Sequence, residues 1–318
     1  MEYLPLGKTG LRVSRFCLGT LTLGPLAADL ELQQGAALIL AALRHGVTFL
    51  DTAEQYRTYP YIRAALEQWD APDQIVIASK TYAWSDREAA WAIEDARLAL
   101  GRETLDVMLL HEVRDREDFQ ARSGAWQALR DARQNGVIRA IGLSTHSAAV
   151  AAWAAEQPEL DVMMVLLNRD GIGIRDGDRE TMTAAAALAR QHGKGVYGMK
   201  AIAGGGLMHE ARSALNWAFS RDELDAVAVG CKDVAELATD LAWIEGREAA
   251  EAAQVRLLDR NIVFDKEPRC HGCRRCIMRC PAGAMRLGDD GLAEWQKQQC
   301  LYCGYCIAAC PWFCIAFC

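Results

Sequence analysis

The sequence lacks both the long apolar runs that cross membranes and any excess of positive charge. Among its 318 residues, 35 are Lys or Arg and 42 are Asp or Glu, so the formal net charge is −7. No apolar stretch approaches the roughly 20 residues that a membrane-spanning helix needs, and the acidic balance argues against nucleic acid as a partner. The first residues have no basic flank followed by an apolar segment, so we expect no signal peptide and a soluble, cytoplasmic protein.

Cysteine, in contrast, is abundant and concentrated near the end of the chain. Of the 12 cysteines, eight lie in two runs of the form C-x2-C-x2-C-x3-C-P, at residues 270–281 and 300–311. Two intact copies of this run resemble the dicluster bacterial ferredoxins, in which the fourth Cys of each run serves the other cluster. The resemblance implies two 4Fe–4S clusters in this segment.

The resemblance also implies which cysteines hold each cluster. The first set is Cys270, Cys273, Cys276 and Cys310, and the second is Cys300, Cys303, Cys306 and Cys280. Structural zinc is the alternative, although zinc usually takes paired C-x2-C units and does not need a repeated C-x3-C-P. A disulfide framework would suit a short secreted chain better than this one. Cys314, in the apolar tail, is expected to pack rather than to bind metal.

Upstream of the cysteines, apolar strand-like segments alternate with amphipathic helical segments. The predicted strands are residues 15–18, 47–51, 74–80, 107–111, 138–144, 162–167, 195–202 and 226–229. The predicted helices are residues 32–44, 61–68, 85–100, 124–135, 147–155, 181–192, 211–220 and 233–243. This alternation indicates a parallel sheet buried on both faces, and eight repeats favour a closed (β/α)8 TIM barrel over an open sheet.

The pattern divides the chain into three parts. Residues 1–245 are predicted to form the barrel, including a small hairpin at its start. Residues 246–267 are predicted to form a linker, with a helix over Arg247–Asn261. Residues 268–318 are predicted to form a small α+β ferredoxin-like domain around the cysteine runs.

Three consecutive predicted strands end on side chains that can take part in acid–base chemistry. The second strand ends at Asp51 with Tyr56 just beyond it, the third at Lys80 and the fourth at His111. Because barrel enzymes carry their reactive groups at the C-terminal ends of the strands, these residues are expected to meet at one rim. Each alone is most simply a solvated rim residue, whereas all four together predict a catalytic site.

These residues resemble the aldo-keto reductase superfamily through the motifs D-T-A-x-x-Y, S-K and L-L-H. The resemblance implies that Tyr56 donates a proton to a substrate carbonyl oxygen and that Lys80 lowers the pKa of Tyr56. It also implies that Asp51 holds Lys80 and that His111 bonds and orients the carbonyl oxygen. The alternative is that these four residues form only an ion-pair network, in a barrel rim that is filled with side chains.

The candidate cofactor-binding residues are spread over the later strands and loops. They are Ser144, His146, Asn168, Lys200, Gly204, Gly205, Gly230 and Lys232. The sequence departs here from the resemblance, because Met164 stands where a Gln is typical and Glu236 where an Arg is common. Residues that typically bind the nucleotide are therefore replaced in this sequence, which weakens the interpretation that NAD(P)H binds in the barrel. A flavin at the barrel's phosphate sites is a further possibility.

Together the two parts resemble the iron–sulfur branch of the aldo-keto reductases. We expect an oxidoreductase that couples electron transfer through two clusters to reduction or oxidation of a small carbonyl or alcohol, or of a cofactor in the barrel mouth. Clusters pass electrons singly, whereas hydride transfer moves two. One alternative is a conventional NAD(P)H-dependent reductase with structural clusters. Another is a non-catalytic electron-transfer subunit that docks a protein.

A basic segment around the first cysteine run bears on the electron donor. It contains Arg269, Arg274, Arg275 and Arg279. Such a cluster would suit an acidic donor such as ferredoxin or flavodoxin, and solvated charge is the alternative.

Overall fold

The computed structural model begins with a small antiparallel hairpin of strands β1 (Tyr3–Pro5) and β2 (Arg12–Ser14). The structure describes residues 1–205, 207, 210–248, 262–264, 270–301, 305–310 and 314–317. Leu6, Leu11 and Val13 from the hairpin region are buried. They belong to the same apolar cluster as the interior side chains of the barrel that follows, so the hairpin closes the end of the barrel where the strands begin.

Eight parallel strands form a closed barrel. They are β3 (Phe16–Gly19), β4 (Phe49–Asp51), β5 (Val76–Thr81), β6 (Leu105–Leu110), β7 (Ile138–Thr145), β8 (Val162–Leu166), β9 (Gly195–Met199) and β10 (Ala226–Val229). Strand β10 pairs with both β9 and β3, which closes the sheet. The predicted TIM barrel is confirmed.

Helices follow the strands and form the outer layer. They are α1 (Leu32–Arg44), α2 (Tyr59–Leu66), α3 (Asp86–Leu100), α4 (Arg116–Ala121), α5 (Ser123–Gln134), α6 (Ala148–Glu156), α7 (Arg179–Gln191), α8 (Ala211–Phe219) and α9 (Val234–Ile244). In β6, Val107 and Leu109 lie in the interior cluster, whereas Met108 and Leu110 lie in the cluster that includes the helices. Because successive strand residues point to opposite faces, one strand contributes side chains both to the barrel interior and to the layer between the sheet and the helices.

Two boundaries differ from the sequence prediction for identifiable reasons. Helix α2 begins at Tyr59 rather than residue 61, because Pro60 is tolerated in a first helical turn. Strand β9 ends at Met199 rather than residue 202, because Lys200 has a left-handed φ of 62° that ends the extended backbone. None of the described helices combines the length and apolar character that crossing a membrane requires.

The C-terminal unit is built from short strands and helices around the cysteines. Its elements are β11 (Ile262–Phe264), α10 (Arg275–Arg279), β12 (Met285–Leu287), β13 (Ala293–Trp295), α11 (Tyr305–Ala309) and β14 (Ile315–Phe317). Strand β11 pairs with β14, and β12 pairs with β13. Most of the predicted linker helix lies outside the described residues, so the domain limits stay a prediction. Strand β11 lies within the predicted linker and belongs to the sheet of this unit.

A buried arginine fixes the ends of two strands at the barrel rim. The guanidinium of Arg122 donates to the carbonyl oxygens of Thr81, Ala83 and His111 at 2.8, 3.1 and 3.0 Å. The Asp118 carboxylate lies 3.9 Å away. One side chain therefore holds the segments that leave β5 and β6 toward the site described below.

We predict that Arg122→Met lowers the free energy of unfolding by about 3 kcal/mol, because three buried carbonyl oxygens lose a hydrogen bond from this guanidinium. Urea denaturation followed by circular dichroism measures the change. Arg130→Met is the matched control, since the half-exposed Arg130 contacts only side chains, those of Glu159 and Gln127, in the described structure, and its loss is expected to cost less than about 1 kcal/mol. Equal effects of the two substitutions would contradict the structural role of Arg122.

Candidate active site and cluster-binding cysteines

The four predicted catalytic residues meet at the C-terminal rim of the barrel. Asp51 ends β4, Lys80 lies near the end of β5, and His111 follows β6. Tyr56 lies in a short 3-10 helix, Glu54–Tyr56, in the loop after β4. All four side chains are buried, so electrostatic interactions among them are stronger than at an exposed surface.

Lys80 and Asp51 form a buried ion pair. Lys80 Nζ lies 2.8 Å from Asp51 Oδ1 and donates a second hydrogen bond to the Thr52 carbonyl at 2.6 Å. Tyr197, from β9, donates to the other Asp51 oxygen at 2.9 Å. Burial raises the pKa of Asp51 and lowers the pKa of Lys80, and their mutual attraction opposes both shifts. The pair is therefore held by partners from three strands.

The Tyr56 hydroxyl points toward His111, at 3.5 Å from its Nε2 atom. Lys80 Nζ lies over the Tyr56 ring, 4.9 Å from its centroid. Burial raises the pKa of Tyr56 well above its ordinary value, and the neighbouring Tyr305 and Asp51 raise it further. This differs from our expectation of a lowered pKa, because burial disfavours the charged phenolate more than the nearby Lys80 favours it. Tyr56 therefore stays protonated at neutral pH.

His111 is a neutral imidazole in this site. Burial lowers its pKa well below the ordinary value, and the positive charges of Lys80 and Arg279 lower it further. Its ring stacks on Tyr82, with centroids 4.3 Å apart. Its Nδ1 atom has no hydrogen-bond partner among the described residues. The stacking fixes the ring plane, so Nε2 faces the tyrosine hydroxyls.

Besides Tyr82 and Tyr197, sequence reasoning missed a third residue of the site, Tyr305. It comes from the second cysteine run, yet its hydroxyl lies 3.2 Å from the Tyr56 hydroxyl and 3.4 Å from His111 Nε2. Its side chain is buried and packs with Ala53 and Tyr56. Its signal in the sequence is an aromatic residue beside the predicted cluster ligand Cys306. The C-terminal unit therefore reaches into the barrel mouth.

A cavity of about 130 Å³ lies beside the two tyrosines. Tyr56 and Tyr305 line one part, together with Asp51 and the apolar side chains of Met164 and Met199. Five of the eight predicted cofactor-binding residues line the rest: Lys200, Gly204, Gly205, Gly230 and Lys232. The structure thus brings these five together with the candidate catalytic tyrosine.

The other three predicted cofactor-binding residues do not line this cavity. Ser144 Oγ accepts a hydrogen bond from the Glu112 backbone at 2.8 Å. The Asn168 amide bonds the backbone of its own loop, at Asp170 and Ile172. His146 is buried, and burial lowers its pKa to about 3. Among the described residues that line the cavity there is no Asn or Gln, so the side chains present do not fit a nicotinamide carboxamide.

The far end of the cavity carries its own acidic group. Glu236 accepts a hydrogen bond from the Lys232 backbone at 2.8 Å, and its carboxylate lies 3.5 Å from Lys232 Nζ. A phosphate at the start of α9 would use the same N–H and the same ammonium. Glu236 therefore competes with a phosphate at this position.

A second acid, Asp240, lies one helical turn beyond Glu236. Its carboxylate is 3.6 Å from Cys231 Sγ, and burial, with a smaller effect of Glu236, raises its pKa to about 7. A carboxyl whose pKa is higher in the folded than in the unfolded state contributes stability at acidic pH, and this contribution is lost as the pH rises through about 7.

We therefore predict that the free energy of unfolding falls between about pH 5 and pH 8, and that Asp240→Asn removes much of this fall. Urea midpoints across that range test the prediction. Asp73→Asn, at an exposed position, is the control for removing a charge alone. A wild-type slope that persists unchanged in Asp240→Asn would assign the pH dependence to another group.

Five cysteines of the C-terminal unit line one enclosed space. Four of them, Cys270, Cys273, Cys276 and Cys310, are the set predicted for the first cluster, and the fifth is Cys314, which was expected to pack rather than to bind metal. Mainly through burial, the pKa of the Cys276 thiol is raised to about 11. A thiol in this environment is stabilised as thiolate by a cationic metal centre. The donor set therefore fits an iron–sulfur cluster.

Matching hydrogen bonds support the fourth cysteine of each run. The Ala284 backbone donates to Cys280 Sγ at 3.2 Å, and the Cys314 backbone donates to Cys310 Sγ at 3.3 Å. Such N–H groups tune a cluster's ligands. Of the second predicted set, Cys280, Cys300 and Cys306 are described, and Cys303 lies outside the described residues. Cys314 is buried in the apolar cluster of this unit.

The geometry does not favour the zinc or disulfide alternatives. Seven of the described cysteines, Cys17, Cys231, Cys270, Cys273, Cys276, Cys280 and Cys310, form no disulfide. Among the described residues, no three His, Cys, Asp or Glu side chains are close enough to hold a single metal ion. A structural zinc site needs four ligands around one ion, whereas a cubane binds each thiolate at a different iron.

The barrel, its rim residues and the eight-cysteine unit define an iron–sulfur oxidoreductase. Residues 15–254 match the model of the aldo/keto reductase family, and residues 262–311 match the 4Fe-4S dicluster domain. The chain belongs to the aldo/keto reductase family and carries a 4Fe-4S dicluster domain after the barrel.

Individual relatives match one part of the chain or the other. The aldo-keto reductase YhdN of Bacillus subtilis is 27% identical over 158 residues, 46% of this chain and 48% of that protein. The formate dehydrogenase-O iron-sulfur subunit of Escherichia coli is 49% identical over 37 residues, 11% of this chain and 12% of that protein. The chain thus spans about half or less of these curated relatives.

The barrel also resembles a solved structure. The holo form of aldo-keto reductase AKR11C1 from Bacillus halodurans superposes with a TM-score of 0.65 at 18% identity. The match covers 81% of this chain and 95% of the other. At this identity, the likeness shows a common fold.

We predict that Cys276→Ala lowers the iron content of anaerobically purified protein from about eight to about four atoms per chain, because one cluster loses a ligand. Iron analysis and electron paramagnetic resonance of the reduced protein measure the loss. Cys17→Ala, at a buried cysteine of the barrel, is the control and is expected to keep all the iron. Full iron in Cys276→Ala would argue against the assigned ligand set.

Proposed function

We propose that the protein couples electron transfer through its two 4Fe–4S clusters to reduction or oxidation of a small carbonyl or alcohol, or of a cofactor in the barrel mouth, with Tyr56 as the proton donor. One observation carries the proposal. The Tyr56 hydroxyl lies 3.2 Å from the hydroxyl of Tyr305, and Tyr305 directly precedes Cys306, a predicted cluster ligand. A single side chain therefore links the second cluster site to the candidate proton donor.

The surroundings of the two predicted cluster sites support a direction for electron flow. Cys273, Arg274 and Arg275 at the first site are exposed, although Cys276 of that site is as buried as Cys306 of the second. Tyr305, beside the second site, is buried and packs with Tyr56 at the barrel mouth. When bound, each cluster supplies or accepts single electrons. An acidic protein donor would meet the first site, and the second site lies next to the substrate. Ferredoxin or flavodoxin has the required charge.

The proton chemistry follows from the environment of Tyr56. Reduction of a carbonyl to an alcohol consumes two electrons, which the two reduced clusters would supply one each, and two protons. The carbon takes one proton from water and the oxygen takes the other from Tyr56. Tyr56 stays protonated until an alkoxide, a stronger base than a phenolate, develops beside it. Lys80, 4.9 Å from the ring centroid, stabilises the negative charge left on the phenol. Asp51 keeps Lys80 charged and in place.

His111 orients the reacting groups without changing its charge. Its neutral Nε2 atom lies 3.5 Å from the Tyr56 hydroxyl, within reach of an oxygen that binds there. A protonated imidazole at this position would compete with Tyr56 as an acid, and burial prevents it. Arg279 stacks on Tyr82, with its Cζ atom 3.4 Å from the ring centroid, and bonds Gln55. These contacts hold Arg279 beside Tyr82, whose ring stacks on His111.

The conventional NAD(P)H-dependent reductase has less support from the cavity. Its lining within the described residues has no side-chain amide, and Glu236 already uses the donors that a phosphate needs. The non-catalytic alternative also has less support, because a docking barrel does not require a buried Asp51–Lys80 pair beside Tyr56. We therefore favour electron delivery through the clusters.

We predict that Tyr56→Phe keeps its iron and its reducible clusters but forms alcohol on the order of 100-fold more slowly, since general acid catalysis contributes about that much or more. The assay uses anaerobic protein reduced with dithionite, freed of excess reductant and mixed with benzaldehyde. Gas chromatography measures benzyl alcohol, and visible absorbance follows cluster reoxidation. Tyr3→Phe, whose hydroxyl bonds the Gly46 carbonyl at 2.9 Å, is the control.

Parallel reactions separate the alternatives. Alcohol that forms only when NADH or NADPH is added would support the conventional reductase. Clusters that exchange electrons with an added ferredoxin, while no carbonyl compound is turned over, would support a non-catalytic electron-transfer role. Unchanged product formation in Tyr56→Phe would remove Tyr56 as the proton donor.

A further inference from the structure

We propose that the Tyr305 hydroxyl is a second hydrogen-bond donor to the carbonyl oxygen of the substrate, so that the iron–sulfur unit completes the oxygen-binding site of the barrel. Tyr305 would then be a catalytic residue supplied by the second cysteine run. The inference rests on the proposed function, because it assumes a carbonyl oxygen beside Tyr56. It adds a role for a residue outside the barrel.

The first argument is the triangle formed by three polar atoms. The Tyr56 and Tyr305 hydroxyl oxygens are 3.2 Å apart, and His111 Nε2 lies 3.5 Å from the first and 3.4 Å from the second. The sides are nearly equal. An oxygen placed on one side of this triangle can therefore lie about 2.8 Å from all three atoms, which is a normal hydrogen-bond length.

The second argument is the direction in which the triangle opens. Both Tyr56 and Tyr305 line the cavity of about 130 Å³ at the barrel mouth. The same cavity is lined by apolar residues, among them Met164 and Met199, which suit the carbon part of a small carbonyl compound. A substrate in this cavity would meet both hydroxyls together.

The third argument concerns the hydrogens of the triangle. His111 Nδ1 is buried without a hydrogen-bond partner among the described residues. This favours the tautomer with hydrogen on Nε2, because a buried N–H without an acceptor is rarer than a buried acceptor without a donor. His111 Nε2 can then donate to an oxygen that binds beside the two hydroxyls.

The fourth argument is the charge around the two hydroxyls. Lys200 Nζ lies 5.6 Å from the Tyr305 ring centroid, and Arg279 Cζ lies 5.9 Å from it. Lys80 lies against Tyr56, and the Asp51 carboxylate, whose charge also acts on Tyr56, is bonded to Lys80 and Tyr197. Preorganised donors and cations at a developing alkoxide are the largest source of transition-state stabilisation in many enzymes.

Packing holds Tyr305 in this position. Leu301, four residues earlier, is buried in the interior cluster of the barrel. A Cβ atom at Gly204 would lie 1.4 Å from the Leu301 carbonyl oxygen, so the loop after β9 and the second cysteine run are in backbone contact. A donor fixed by such packing loses little entropy when substrate binds.

The test measures the carbonyl stretching frequency of bound benzaldehyde by isotope-edited infrared difference spectroscopy, using ¹²C=O and ¹³C=O probe with anaerobic holoprotein. Each hydrogen bond to the oxygen lowers this frequency. We expect a downshift in the wild type, a smaller one in Tyr305→Phe and in Tyr56→Phe, and in the double variant only the small shift that His111 alone can produce. Iron content confirms that Tyr305→Phe keeps its clusters. Tyr3→Phe is expected to match the wild type.

The outcomes separate this inference from the proposed function. A Tyr305→Phe frequency equal to the wild type, with a reduced shift in Tyr56→Phe, overturns the role of Tyr305 and leaves Tyr56 as the donor. No downshift in the wild type overturns the carbonyl site itself. Turnover adds a second readout, because removal of one oxyanion donor is expected to lower kcat/KM for benzaldehyde on the order of 100-fold.

If Tyr305→Phe loses its clusters, a second variant still tests the inference. Incorporation of 3-fluorotyrosine at position 305 keeps the size and the hydroxyl but makes the phenol a stronger donor. We expect a larger carbonyl downshift than in the wild type. An unchanged frequency in this variant would also overturn the inference.

Discussion

The buried pair of Asp51 and Lys80 is the interaction on which the rest of the site depends. Two charges removed from water cost several kcal/mol each, and a pair repays this only when its geometry and its remaining hydrogen bonds are good. Here Thr52 and Tyr197 supply those bonds. Because the pair joins β4, β5 and β9 inside the barrel, it fixes the position of Tyr56 relative to the cavity. The main role of the pair is to position Tyr56 rather than to stabilise the fold.

The rim around this pair also contains strained backbone. Arg57, Glu112, Lys200 and Ala203 have φ values between 50° and 62°, in the left-handed region that side chains other than glycine rarely adopt. Each such residue costs of the order of 1–3 kcal/mol. They follow the strands that carry Asp51, His111 and Met199, so the barrel maintains strain at the rim where the catalytic side chains are presented.

The barrel and the cysteine ligands were predictable because both follow from local patterns. Strands such as β6 are continuous apolar runs, and Cys270, Cys273 and Cys276 keep a fixed spacing. Tyr305 was not predictable, because its contact with Tyr56 joins residues 249 positions apart and no periodic pattern encodes it.

Asn168 was predicted to bind a cofactor but does not line the cavity, because short-range contacts hold its side chain. Its amide is used by the backbone two and four residues onward, a local turn that competes with ligand binding.

The contact between Gly204 and the Leu301 carbonyl has a consequence for how such a two-part protein can diverge or be rebuilt. Any side chain at position 204 would place its Cβ atom 1.4 Å from that oxygen, so the cysteine-bearing loop would have to move outward until the distance exceeds about 3.0 Å. A rebuilt version of this two-part architecture would therefore keep its parts in contact only with glycine at this place.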